Sequence, residues 1–148
     1  MLVEFAYSQK LEIEVDDVCD LIVAADYYGF LTVITECTQF LEQKIIHDNC
    51  LAIWKFAIQY NFQILEQIAF DYILKYFQEI CHSNEFLNLN DAEFNQIIIS
   101  EWLNAEDLEI QEVTDAWYKH RLGLTINVLL NIDIIILVYK TFFNRLLW

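Results

Sequence analysis

The sequence predicts an all-α protein, one continuous helical array over most of its length, on three observations. The 148-residue chain holds no proline and only two glycines, so the commonest helix breaker is missing. Hydrophobic residues make up 57% of it, above the roughly 45–50% of ordinary domains, and they recur at i, i+3 and i+4 over most of the length. Residues with capping chemistry stand in front of most of these periodic runs.

The first element is the exception. Leu11, Ile13 and Val15 alternate with Glu12 and Glu14, which predicts a short half-exposed strand over 10–15. Asp16 and Asp17 then offer N-caps to a helix that buries Val18, Leu21, Ile22 and Ala25 and ends at Gly29, where glycine suits the left-handed position after a helix. A second helix is expected over 31–46, with the stripe Val33, Ile34, Cys37, Phe40, Leu41 and Ile45. A third starts at Asp48-Asn49 and turns Cys50, Ile53, Trp54 and Ala57 inward, with a break near Asn61.

The strongest periodic signal follows. Ile64, Leu65, Ile68, Ala69, Tyr72, Ile73, Tyr76, Phe77 and Ile80 predict one amphipathic helix of more than four turns, with Glu66, Asp71, Lys75 and Glu79 on its other face. Capped starts come next at Ser83, at Asn90 with Glu93, and at Asn104 with Asp107, the last two resembling capping boxes. They imply helices of about twelve residues, with inward faces Phe94, Ile97 and Ile98, then Leu108, Val113, Ala116 and Trp117. No internal repeat and no low-complexity linker is read.

Composition excludes several functions. With 23 acidic and 8 basic residues and a net charge of −15, the mean field repels phosphate, so nucleic-acid binding is not expected. The charge is uneven: residues 1–118 carry net −18 and residues 119–148 net +3. Cys19, Cys37, Cys50 and Cys81 form none of the close pairs of zinc or redox motifs. They continue apolar stripes, so reduced, buried thiols and a cytoplasmic location are expected. The first seven residues lack the basic start and long apolar run of a secretory leader.

Catalysis needs a nucleophile, base or metal in defined geometry. His47, His82 and His120 are the only histidines, and Gly29 and Gly123 are isolated, so no phosphate-cradling loop exists. His47 with Cys50, and Cys81 with His82, are the one arrangement that would offer zinc ligands, at spacings unlike those of structural zinc modules. The expectation is a protein with no enzymatic activity, no cofactor and no metal. Tyr27, Tyr28 and Trp102 stand near helix ends, where aromatic side chains can anchor a partner.

The order of residues adds a family resemblance. Phe5-Ala6-Tyr7-Ser8, the Leu11/Ile13 strand, Asp16 to Ala25, Cys37, Phe40-Leu41 and Asp48-Asn49-Cys50-Leu51 resemble the end of a BTB domain running into a BACK domain, as in kelch-like proteins. Phe56-Ala57, Tyr72-Ile73, Phe77, Glu85-Phe86-Leu87, Leu103-Asn104 and Trp117-Tyr118-Lys119-His120 continue it. The resemblance covers about residues 2–120. It implies a helical array of BACK type preceded by the last strand and helices of a BTB domain. The corresponding divisions are 1–47 for BTB, 48–120 for BACK, and 121–148 for a divergent hydrophobic tail.

It further implies a fragment of a substrate adaptor for a cullin-3 ubiquitin ligase. Kelch-like proteins dimerise through BTB, bind cullin-3 with BTB and the first BACK helices, and present substrates on kelch blades. The sequence opens two thirds of the way through the BTB pattern, so the dimer-forming part and the hydrophobic-x-Glu motif offered to cullin-3 are not in it, and no kelch repeats follow. The retained surface would be a groove beside the helix pair from about Asn49 to Leu65, with Trp54, Ile58 and Tyr60 as apolar partner contacts. Cullin-3 is then expected to bind this form weakly.

Two alternatives belong to other classes. One is a structural or scaffold helical protein without a ligase link. The other is membrane attachment through the apolar stretch 122–139, against which stand Asp133, Asn127 and Asn131, since a central Asp alone costs about 2.5–3.5 kcal/mol on insertion.

Overall fold

The computed structural model describes residues 17–123, and these are all-helical, with no strand among them. The strand predicted over 10–15 and nearly all of the apolar stretch 122–139 lie outside the described residues. No helix among those described is long and apolar enough to cross a membrane. The described residues form two compact units: one contains residues 17–80 and takes back Ile99–Asn104, the other contains Cys81–Ile98 and residues 105–123.

The first unit is built from two helical hairpins. Helix α1 (Val18–Tyr28) pairs with α2 (Leu31–Lys44), α3 (Cys50–Tyr60) pairs with α4 (Gln63–Lys75), and α2 packs on α4. Their buried faces follow the predicted stripes: Val18, Leu21, Ile22 and Ala25 on α1, Val33, Cys37 and Leu41 on α2, and Cys50, Ile53, Trp54 and Ala57 on α3. Ile34 and Phe40 are half-buried.

The expectation that the chain has no internal repeat is overturned. α1–α2 and α3–α4 are two copies of one unit, thirty-two residues apart. Gly29 (φ 75°, ψ 27°) and Asn61 (φ 58°, ψ 37°) end the first helix of each pair in the left-handed region. Phe30 (φ −83°, ψ 76°) and Phe62 (φ −83°, ψ 77°) turn the chain into the second. The hydrogen bonds correspond one for one. Phe30 N donates to Ala25 O at 2.8 Å and Phe62 N to Ala57 O at 2.9 Å, while Leu31 N donates to Gly29 O and Gln63 N to Asn61 O, both at 3.1 Å. Core positions also correspond: Val18, Leu21, Ile22 and Ala25 match Cys50, Ile53, Trp54 and Ala57. Stacking such hairpins buries a continuous core that neither could bury alone.

This turn makes a stability prediction. Nothing lies within 4 Å of a Cβ built on Gly29, so Gly29→Ala meets no clash. Its cost is backbone strain alone, about 1 kcal/mol, whereas Asn61→Gly relaxes the same conformation and is expected to be neutral or slightly stabilising. Thermal melts of the two variants check the sign of each.

The single long helix predicted over 64–80 is not observed. α4 ends at Lys75, and after Tyr76 a separate turn of helix, α5 (Phe77–Ile80), completes the first unit. Asn104 is the cause. Its backbone N–H donates to Leu74 O and its side-chain amide to Lys75 O, both at 3.1 Å. Those carbonyls would otherwise serve the next turn, and Glu79 N instead donates to Tyr76 O. Asn104 therefore closes α4 with its amide instead of pairing with Asp107. Ile64, placed on the stripe, is exposed, and Leu74 is buried in addition.

Capping departs from expectation in part. Asp17 and Asn49 make no side-chain bond to the amides of the helices they precede. Asn49 turns backwards, accepting from Ile46 N at 2.8 Å and donating to Lys44 O at 2.9 Å, so it ties the α2–α3 connection.

In the second unit, Ser83 Oγ accepts from Phe86 N at 3.1 Å and caps α6 (Asn84–Leu87). Asn90 and Glu93 form the expected reciprocal box at the start of α7 (Asp91–Ile98), with both bonds at 2.9 Å. Both helices are shorter than the twelve residues expected. The last described helix, α8, covers 107–123. It buries Val113 and Trp117 as predicted but leaves Leu108 and Ala116 exposed. Trp117 stacks on Phe94 at 4.2 Å and donates its indole N–H to Leu89 O at 3.2 Å. Arg121 lies over the same indole and pairs with Asp91 at 2.8 Å.

Candidate interaction site

The turn of the second hairpin and the flank of the first enclose an open cleft of about 410 Å³ within the first unit. The first hairpin contributes Asp26 from α1 and Leu31, Ile34 and Thr38 from α2, and the second contributes the run Asn61 to Leu65. The wall is apolar where it is deepest, since Leu65 and Phe62 belong to the core. At the lip, Leu31 is 75% and Ile64 73% exposed. Apolar side chains this exposed, beside a concavity with apolar walls, are the ordinary marks of a partner surface.

The three residues predicted as partner contacts occupy different layers. Ile58 and Tyr60, 41% and 42% exposed, sit at the end of α3 where the turn into the cleft begins. Tyr60 joins Phe56 and Phe62 in a cluster of three rings with centroids 4.9–6.2 Å apart, and Phe62 is shared with the cleft wall. Trp54 is fully enclosed, stacked on Phe70 at 5.4 Å, with no hydrogen-bond partner for its Nε1. The helix that carries Ile58 and Tyr60 rests on it.

Sequence reasoning missed the α2 side of the cleft. Leu31 lies off the buried stripe of its helix immediately after a turn, and an apolar residue in that place was the available signal. Tyr27, Tyr28 and Trp102, near helix ends, are strongly exposed. Tyr27 and Tyr28 pack edge to face at 5.0 Å.

The cysteines are free, three of them buried and Cys19 half-buried. Burial pushes the Cys37 and Cys50 thiols up to about 11, so at neutral pH they carry protons and are poor nucleophiles and ligands. Cys50 donates its thiol to His47 O at 3.3 Å, and the His47 ring lies against Tyr72 and Tyr76. Among the described residues no three His, Cys, Asp or Glu side chains cluster as a metal site would require. A chelator is expected to leave the melting temperature unchanged, and a fall of several degrees would restore the zinc alternative.

Stacked helical hairpins presenting an apolar cleft are the architecture of a protein-interaction module. The BACK family model (BTB And C-terminal Kelch) matches residues 50–143, and the BTB/POZ domain model matches residues 1–45. The chain belongs to the BACK family, preceded by BTB sequence, and both domains are non-catalytic interaction modules. Kelch-like protein 28 of Homo sapiens is 32% identical over 120 residues, which is 80% of this chain and 21% of that protein. Kelch-like protein 41a of Danio rerio is 34% identical over 110 residues, 74% of this chain and 18% of its own length. Gigaxonin of Homo sapiens is 27% identical over 120 residues, 80% of this chain and 20% of its own. The chain thus spans about a fifth of the length of these relatives.

Proposed function

We propose that this chain is the BTB–BACK part of a kelch-like substrate adaptor for a cullin-3 ubiquitin ligase. Its apolar cleft receives an extended segment of the cullin. The observation that carries this reading is the cleft itself, whose Asn61–Leu65 wall belongs to the helix pair that the resemblance assigns to the cullin. Ile58 and Tyr60 make contact at its edge, and Trp54 acts from beneath by holding α3 in place. BTB sequence to about residue 47 forms the approach, 48–120 the BACK body and 121–148 a divergent tail, with dimerisation supplied by the upstream part of BTB.

A pull-down with the amino-terminal region of cullin-3 tests the proposal, using this chain extended upstream by a complete BTB domain. Capture that weakens on Ile64→Asp supports the cleft. No capture leaves a scaffold role without a ligase link.

A further inference from the structure

We infer that the cleft is selective for an extended segment bearing a basic side chain beside its apolar anchors, with Asp26 holding that charge and Thr38 holding the segment's backbone. The inference rests on the cleft being the partner surface, as proposed above, and adds what kind of segment fits it.

Among the described residues, Asp26 is the one charged residue lining the cleft. It lies in the last turn of α1, which carries no basic residue. There a carboxylate faces the negative end of the helix dipole and is disfavoured. No described residue pairs with it. An anion set at the wrong helix end, unpaired and on the lip of an apolar concavity, is suited to a cation brought by another molecule.

Thr38 is an independent second observation. It is 9% exposed, the one buried polar residue among those described, and it lines the cleft. Thr35 and Thr114 turn their hydroxyls onto carbonyls four residues back, at 3.0 and 2.7 Å, as threonines in helices do. Thr38 makes no such bond and has no partner among the described residues. A hydroxyl on a largely buried side chain, left free of the helix and open to the cleft, is a donor and acceptor that a backbone amide or carbonyl can engage.

The repeat supplies the control. Thirty-two residues on, Asp26 corresponds to Ile58 and Thr38 to Phe70. The same hairpin is therefore built without either polar group, and neither is demanded by its packing. Both belong to the surface that the first hairpin alone presents to the cleft. The acidic excess of residues 1–118 favours approach of a basic segment at low salt.

The test uses the 148-residue chain and two fluorescent decapeptides. One carries two Ile anchors and one Arg, and its twin has citrulline in place of Arg. The Arg peptide is expected to bind about fivefold more tightly in low salt, an advantage of the size a partly screened ion pair gives. Asp26→Asn should erase that advantage by weakening the Arg peptide alone. Thr38→Val, nearly isosteric, should weaken both peptides alike, and so should Ile64→Asp.

An Arg advantage that survives Asp26→Asn, or equal binding of the twins to the wild-type chain, overturns the inference while the cleft remains a binding surface. Indifference of both peptides to Ile64→Asp overturns the cleft and the inference together. If the amino-terminal segment of cullin-3 fails to displace a bound Arg peptide from the chain extended upstream by a complete BTB domain, the inference stands and the cullin-3 assignment falls.

Discussion

Trp54→Ala is expected to lower the stability of the first unit by about 3–5 kcal/mol, the usual cost of truncating a buried tryptophan. Against a total of about 5–15 kcal/mol for a domain, that removes much of the margin. It should depress the melting temperature by more than about 12 °C. Trp54→Phe should behave quite differently. The Trp54 Nε1 is buried without a partner, and an unsatisfied buried donor costs about 1–3 kcal/mol. Phenylalanine removes that donor, can keep the stacking on Phe70, and offsets part of its lost volume.

Trp117 provides the comparison. It is as deeply buried, but its indole N–H donates to Leu89 O. Trp117→Phe therefore loses the bond and strands the Leu89 carbonyl, so it should cost at least about 1 kcal/mol more than Trp54→Phe. Denaturant midpoints of the two phenylalanine variants decide it, and equal losses would remove the unsatisfied donor from the account.

The helices with the cleanest periodicity were legible from sequence because burial alone sets them. α1 and α3 each present one apolar stripe and end at Gly29 or Asn61, residues that tolerate the left-handed conformation. The end of α4 was not legible. Tyr76, Phe77 and Ile80 continue its periodicity without fault, and what stops the helix is Asn104, about thirty residues away in sequence.

The repeat was hidden for a different reason. The two hairpins share core positions and a turn, but their exposed faces differ, and only residues such as Ala25/Ala57 and Phe30/Phe62 are identical. The cleft was half legible for the same reason. Its Asn61–Leu65 wall follows a recognisable helix break, whereas Thr38 and Ile34 come to it only through the packing of one hairpin on the other.

The largest binding effect is expected between two lengths of the protein. The 148-residue chain should bind the amino-terminal region of cullin-3 weakly or undetectably, whereas the same chain extended upstream by a complete BTB domain should bind well. Interface energy is concentrated in a few central anchors. The family resemblance divides those anchors between BTB, with its hydrophobic-x-Glu motif, and the first BACK helices. A chain holding only the second contact area loses far more than its share of affinity.

Within the extended chain, Ile58→Ala and Tyr60→Ala should each weaken binding directly and lower the melting temperature much less than Trp54→Ala, because both side chains are about 40% exposed whereas Trp54 is fully buried. Trp54→Phe should leave affinity largely intact if that side chain only supports α3, whereas Trp54→Ala should weaken affinity and stability together. Calorimetry on both lengths, with melting curves for each variant, separates these effects. If the short form binds as tightly as the long one, BTB does not supply the main contact and the cleft carries the interaction alone. If neither form binds, the ligase reading falls, and the two hairpins serve as a scaffold for some other apolar, basic segment.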